Sequence, residues 1–354
     1  MRFPRTLAAA VPILLASTLG AAACGSSQAS SENASGQTPG QTPGQTPGQT
    51  SGQTAQQITL YTSVTQNTVT AVLNGFAKLD PNVKVSVFRA TTGQLNARIA
   101  ADEHSGGLRA DVIWGTDPLS MESYAQDGLF QPWPLPALAG VPAQDKTKYF
   151  WGTRELYLVI VAHKGLTPMP ANWSDLTNPA YKGKVALPDP AAAGSAFAAL
   201  GYFDTAPGFG ISFYHALKAN GAVQVSTIPE VVTDVAEGRY QLGITLDSEV
   251  RAAIKEGSPV VMDWPADGAI ELYSPIAETV TAKGAAAAAT QALMRYVLST
   301  DGQTVIGKTG WQPVLPGIAG PPRPAGATEV YPGWTALFGR QNQILQQYQA
   351  IFGA

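Results

Sequence analysis

The sequence predicts an α/β fold of two lobes, joined by two hinge crossovers, with a cleft between the lobes. Three observations predict it. The body after residue 57 runs for about 300 residues, more than one hydrophobic core comfortably holds. Strand-like runs alternate along it with helix-like runs, the pattern of mostly parallel sheets covered by helices. The series changes character at a long apolar strand over 156–162, and the chain reads as entering a second lobe near 157 and returning near 270. Two passes between lobes make a hinge and leave a cleft.

The elements follow in order. Residues 58–61 read as a short strand, and 69–79 as an amphipathic helix stopped by Asp80-Pro81. A strand at 83–88, a helix at 95–103, a buried strand at 110–114 and a helix at 118–126 closed by Gly128 complete a first series near Phe130. After 156–162, strands are expected at 185–187, 223–225 and 242–246, with helices over 191–200, 213–219, 229–238 and 249–256. A strand at 276–280, a strongly helical stretch at 285–298 and a final helix at 334–352 follow. Lobe I is therefore expected to comprise 58–156 with 270–315, lobe II 157–269, and 316–354 a C-terminal segment with its own helix.

Ahead of the body stand two other kinds of sequence. Residues 1–23 read as an export signal: Arg2 and Arg5 supply the positive start, 7–19 the apolar middle, and Ala21, Ala22 and Ala23 the small-residue end. The apolar run is too short, and too interrupted by Pro12, Ser17 and Thr18, for a spanning helix of about 20 residues. Cys24 is the sole cysteine, so no internal disulfide forms. Its place after three alanines resembles the bacterial lipobox, whose cysteine receives a diacylglyceryl anchor, although Ala21 stands where the usual lipobox has Leu. Residues 25–57 then carry a Gly-Gln-Thr-Pro repeat from Gly36 and almost nothing apolar, which fits a disordered tether. Random-coil scaling gives 33 such residues a reach of roughly 30 Å. An exported chain held by lipid on the outer face of the cytoplasmic membrane or in the cell envelope is the expectation.

Charged residues make up only 13% of the chain, and removing the leader moves net charge from −3 to −5. With no basic stripe, nucleic acid is not an expected partner. A monomer without a cofactor or a bound structural metal is expected; His104, His163 and His215 sit in no ligand spacing.

Several predicted helix starts follow strand ends and carry hydroxyls. Ser63 with Gln66, and Thr91 with Gln94, have capping-box spacing. Thr92-Gly93 adds an open turn, Thr116-Asp117-Pro118 opens a helix with proline at a favoured first position, and Gly194-Ser195 lies at another start. Each alone is plain capping; converging on one cleft, the set suits an anion held by helix N-termini and hydroxyls. A helix end contributes about 0.3–2 kcal/mol, and micromolar affinity needs about 8 kcal/mol, so a charged partner is required. Arg89 at a strand end and Arg154 at the crossing strand are the best-placed cations, and Asp247 is placed to meet an amine or to cap a helix. Tyr61, Trp114 and Trp264 are candidate cleft aromatics.

Taken together, Ile58-Thr-Leu-Tyr-Thr-Ser63, Val83-Lys-Val-Ser-Val-Phe-Arg-Ala-Thr-Thr-Gly93, Ala110-Asp-Val-Ile-Trp-Gly-Thr-Asp117, Asn172-Trp-Ser-Asp-Leu, Tyr181-Lys-Gly-Lys-Val-Ala-Leu-Pro-Asp189 and Gly194-Ser195 resemble the type 2 periplasmic-binding-protein fold. The resemblance covers about residues 58–315 and falls in the branch of ferric-iron, phosphonate and sugar-phosphate binding proteins. It implies a solute receptor of an ABC importer whose permease and ATPase are other chains. Ferric-binding members use adjacent tyrosines, where this chain reads Ile244-Thr-Leu-Asp-Ser-Glu-Val250, and often a His, where it reads Val64-Thr65. A phosphonate or organic phosphate is therefore the expected solute. Ferric iron held through a synergistic anion is the second reading, and a ligand sensor for a signalling receptor the third.

One motif misleads. Gly302-Gln-Thr-Val-Ile-Gly307-Lys308-Thr309 matches the phosphate-loop pattern, but that loop follows a strand and opens a helix, whereas here a helix precedes it and prolines follow. With no G-x-S-x-G or H-E-x-x-H either, no enzyme activity is expected.

Overall fold

The computed structural model describes residues 56–133 and 140–353. The expected leader, Cys24 and the tether up to residue 55 lie outside the described residues. The first strand, β1 (Gln56–Thr62), begins two residues before the expected body: Gln56 and Gln57 pair with Val83 and Lys84, and Gln57 Nε2 donates to Ser86 Oγ at 3.0 Å.

In chain order β1 leads to α1 (Gln66–Leu79), β2 (Val83–Arg89), α2 (Thr92–His104), β3 (Val112–Trp114) and α3 (Pro118–Gln126). The long strand β4 (Phe150–His163) then opens a series of β5 (Val185–Pro188), α4 (Gly194–Thr205), α5 (Ile211–Ala219), β6 (Val223–Val225), α6 (Ile228–Ala236), β7 (Leu242–Leu246), α7 (Asp247–Lys255) and β8 (Val260–Asp263). After β9 (Ala269–Glu278) come α8 (Gly284–Val297), α9 (Thr300–Lys308), β10 (Gln312–Pro313), β11 (Glu329–Val330) and α10 (Gln341–Phe352). The strand order is β2-β1-β3-β9-β4-β7-β5-β6. Parallel β1–β3 lie on one side and parallel β5–β7 on the other. Antiparallel β4 and β9 form the ribbon between them, paired from Phe150↔Ala277 to Leu158↔Ile270.

The sequence undercounted this ribbon. Strand β4 starts six residues before the predicted 156, and β9 seven before the predicted 276. The unread halves carry Gly152, Arg154, Glu155, Glu271, Ser274 and Pro275, which break an apolar run. Of these, Glu155 accepts from Tyr157 and Arg323, and Ser274 donates to the Gly115 carbonyl. Strand β8 was not anticipated. The single final helix is two: a 3₁₀ turn over Trp334–Leu337 and then α10, separated by Gly339 in the left-handed region at φ 88°. α10 packs against α4, α5 and α3.

Between Gly152 and Glu155 the register shifts, so Thr153 and Arg154 both face Ser274 alone. This is a β-bulge, which bends a strand and re-aims its side chains. It is tied on every side. Trp114 Nε1 donates to Thr153 Oγ1 at 2.8 Å, Thr153 Oγ1 donates to the Ser274 carbonyl at 2.7 Å, and Ser274 Oγ donates to the Gly115 carbonyl at 2.6 Å. Gln303, fully buried in α9, donates to the Thr153 and Val297 carbonyls at 2.7 and 2.9 Å and accepts from Val314 and Leu315 N–H at 2.9 and 3.3 Å. The misleading Gly302–Thr309 motif thus lies almost wholly within α9, whose backbone N–H groups serve the helix, and its glutamine is a clamp on the bulge.

Gln303→Leu keeps the side-chain bulk but strips four backbone groups, three of them buried, of their partners. At about 1–3 kcal/mol for each unsatisfied buried group, urea unfolding should show a loss of about 3 kcal/mol or more. A loss below about 1 kcal/mol would remove Gln303 from this role.

Candidate functional site

Six helix starts and the bulge surround a cavity of about 290 Å³, near the small end of ligand pockets, which run about 300–1,000 Å³. From the β1–β3 side come Ser63 and Thr65 after β1, Arg89, Thr91 and Thr92 after β2, and Thr116 after β3. Facing them are Gly194 and Ser195 at the start of α4, Thr227 before α6, and Glu249 in the first turn of α7. Arg154 enters from the ribbon and Trp311 from the turn after α9.

Local chemistry explains each placement. Thr91 caps α2 in a full capping box with Gln94, as its spacing predicted. Ser63 does not cap α1, which starts later with Thr65 at its N-cap; its hydroxyl turns to Thr116 Oγ1 at 3.2 Å. Thr92 Oγ1 lies 3.4 Å from Thr116 Oγ1 and accepts from Gly194 N–H at 3.2 Å, a bond between the two sides of the cleft. Gly93 N–H donates across it to the Ala192 carbonyl at 3.2 Å. Side chains at these crossing points would keep the sides apart: a Cβ on Gly93 would lie 2.6 Å from the Ala191 oxygen, and one on Gly194 2.1 Å from Asp117 Oδ2.

Arg154 dominates the electrostatics. It is fully buried, its Nε and Nη1 have no hydrogen-bond partner, and its guanidinium carbon sits 3.9 Å over the Trp311 ring. Burial pulls its pKa down to about 9, opposed by the negative charge of Glu249, and the group is still a cation at neutral pH. Arg89, at the exposed rim, is held by its Nε donating to the Val64 carbonyl at 2.7 Å.

Two predicted residues stand outside the wall. Asp117 is buried behind it at the N-cap of α3, where Oδ1 accepts from Ser120 N–H at 2.7 Å and Oδ2, facing Gly194, has no partner. Burial pushes this carboxyl up to about 7. Asp247 lies one position inside α7, with Leu246 at the N-cap, and pairs with Arg251 and the Ser248 N–H instead of facing the cavity. None of the three candidate aromatics lines the cavity. Tyr61 donates to Asp102, Trp114 to Thr153 and Trp264 to the Thr328 carbonyl. Sequence reasoning missed Thr65, Thr227, Glu249 and Trp311. Thr227 was findable: Thr227-Ile-Pro-Glu230 has capping spacing, and Thr227 Oγ1 does accept from Glu230 N–H at 3.2 Å. Trp311 was not, because only the fold brings the turn after α9 under the bulge.

Residues 58–312 match the family described as bacterial extracellular solute-binding protein, and the chain belongs to it. That is a family of binding proteins, not of enzymes. A probable ABC transporter periplasmic-binding protein, y4fP, of Sinorhizobium fredii is 30% identical over 114 residues, 31% of each chain. The chain spans 64% and 31% of the length of two curated relatives that it matches. Among solved structures, the periplasmic binding protein AfuA of Actinobacillus pleuropneumoniae, with fructose-6-phosphate bound, superposes with a TM-score of 0.74 at 17% identity, over 84% of this chain and 98% of that one. Iron-bound HitA of Pseudomonas aeruginosa gives 0.74 at 17%, over 84% and 100%. At these identities the likeness is one of fold: the two-lobe architecture of periplasmic binding proteins, with the β4–β9 ribbon as the double crossing expected from the sequence.

Proposed function

We propose that the protein is the solute receptor of an ABC importer and captures a small, oxygen-rich anion, a phosphonate or phosphate monoester, by lobe closure. The observation that carries this reading is Arg154, a buried guanidinium without hydrogen-bond partners at Nε and Nη1, in a cavity lined also by hydroxyls, helix starts, Arg89 and Glu249. Two or three charge-assisted bonds at about 1.5–3 kcal/mol each, added to helix ends at up to about 2 kcal/mol, reach the roughly 8 kcal/mol of micromolar binding. The wall holds a single carboxylate, Glu249, and neither tyrosine nor histidine. Among the described residues no group of three or more His, Cys, Asp or Glu is placed to hold a metal. Those residue types favour an anion over directly coordinated ferric iron.

In this reading residues 58–156 with 270–315 form lobe I and 157–269 lobe II, and the segment 316–354 lays α10 against helices of both. Residues 1–23 direct export, Cys24 carries the lipid, and the repeat behind it lets the receptor reach a permease and ATPase at the membrane. Among the described residues no helix is long and apolar enough to cross a membrane.

Calorimetric titration with glycerol phosphate, propylphosphonate, glycerol and ferric citrate should give micromolar binding for an anion and none for glycerol. Ser195→Ala should weaken it by roughly tenfold, the loss of one bond to a charged group. A visible iron charge-transfer band, or no anion bound at all, contradicts the proposal. Metabolic lipid labelling should disappear in Cys24→Ser; labelling that persists removes the anchor.

A further inference from the structure

Glu249 is out of place in a cavity built for an anion. It stands in the first turn of α7, half-buried, and lines the cavity together with Arg154. Among the described residues it makes no hydrogen bond and pairs with no cation within 4.0 Å, although it and Arg154 each feel the other's charge. Neighbouring acids do not share its position. Asp247, one residue outside the β7 strand, is taken up by Arg251. Glu249 also lines the wider opening beside the cavity, where Arg251, Lys255 and Lys308 gather with Glu256. It therefore lines both the cavity that holds the buried guanidinium and the wider opening beside it.

A purely anionic solute would be drawn by Arg154 and repelled by this carboxylate. The two protein charges do not neutralise each other by contact, and unpaired charges taken out of water are costly unless something pairs with them. A ligand bearing both signs would pair with each. We propose that the solute is a zwitterion, a phosphonate or phosphate monoester carrying an ammonium group, with its acid oxygens on Arg154 and the hydroxyls and its ammonium on Glu249. This rests on the anion-binding reading above and adds to it the residue that chooses among anions.

The test is a comparison of 2-aminoethylphosphonate with propylphosphonate, which replaces the ammonium by a methyl group, on the mature full-length chain by calorimetry. Wild type should bind the amino compound about tenfold or more tighter, the scale of a charge-assisted pair. In Glu249→Gln that preference should fall to within about threefold, through weaker binding of the amino compound and stronger binding of propylphosphonate as the repulsion goes. Glu249→Ala should behave alike, and unchanged melting temperatures would show that both variants are folded. A wild-type preference near one, or a preference that survives both substitutions, overturns the proposal while leaving anion binding standing. If Glu249 only balances Arg154, both ligands gain equally in the variants and the preference stays, which also overturns it. Failure of wild type to bind either compound or orthophosphate would instead defeat the anion reading itself.

Discussion

The structure turns on one bulge. Where Thr153 and Arg154 oppose Ser274 alone, the β4–β9 ribbon gives up regular pairing and commits a guanidinium to the interior. An unpartnered buried cation opposes folding, so the surroundings must fix it in place. Gln303 and Thr153 use up the bulge's polar backbone groups, and Trp311 lies beneath the guanidinium as an aromatic floor. A cation over an aromatic face recovers about 0.5–2 kcal/mol, less than burial removes. In the proposed reading, the remainder is available to an anionic ligand.

That charge sits in the ribbon between the two sides of the sheet. Arg154, Thr153 and Ser274 lie on β4 and β9, the strands between the two parallel sets. The two sides meet at small residues: the N–H groups of Gly93 and Gly194 bond across the cleft at distances that any side chain would prevent. The same contact engages Thr92 Oγ1, so a hydroxyl that reads as a ligand group from sequence is also an interlobe tie.

Much of this was legible before the fold. The loops after β1, β2 and β3 and the start of α4 announce themselves through hydroxyls and capping spacing, because a helix start is a local event written in three or four residues. Ser63, Thr91, Thr92, Thr116, Gly194, Ser195, Arg89 and Arg154 do line one cavity. The failures are non-local. Asp247 and Glu249 lie two residues apart on one helix turn, and which of them faces the cavity depends on Arg251 reaching back to Asp247 and on to the Gly310 carbonyl. Trp311 sits 157 positions from the arginine it supports, and nothing near it in sequence marks the contact. The polar halves of β4 and β9 were misread because a buried bulge needs the residues that interrupt an apolar strand pattern.

In the proposed reading, Arg154 is retained for a ligand at the expense of stability. Thermal melts of wild type and Arg154→Met, each without ligand and with a saturating phosphonate that wild type binds, test it directly. Methionine fills a similar volume without a charge, so the ligand-free variant should melt higher than wild type by about 2 °C or more. The stabilisation that ligand gives wild type, about 2.7 kcal/mol at 100 times Kd, should vanish in the variant. A variant that melts several degrees lower without ligand, or one still stabilised by the phosphonate, would show that Arg154 serves the fold and not a ligand.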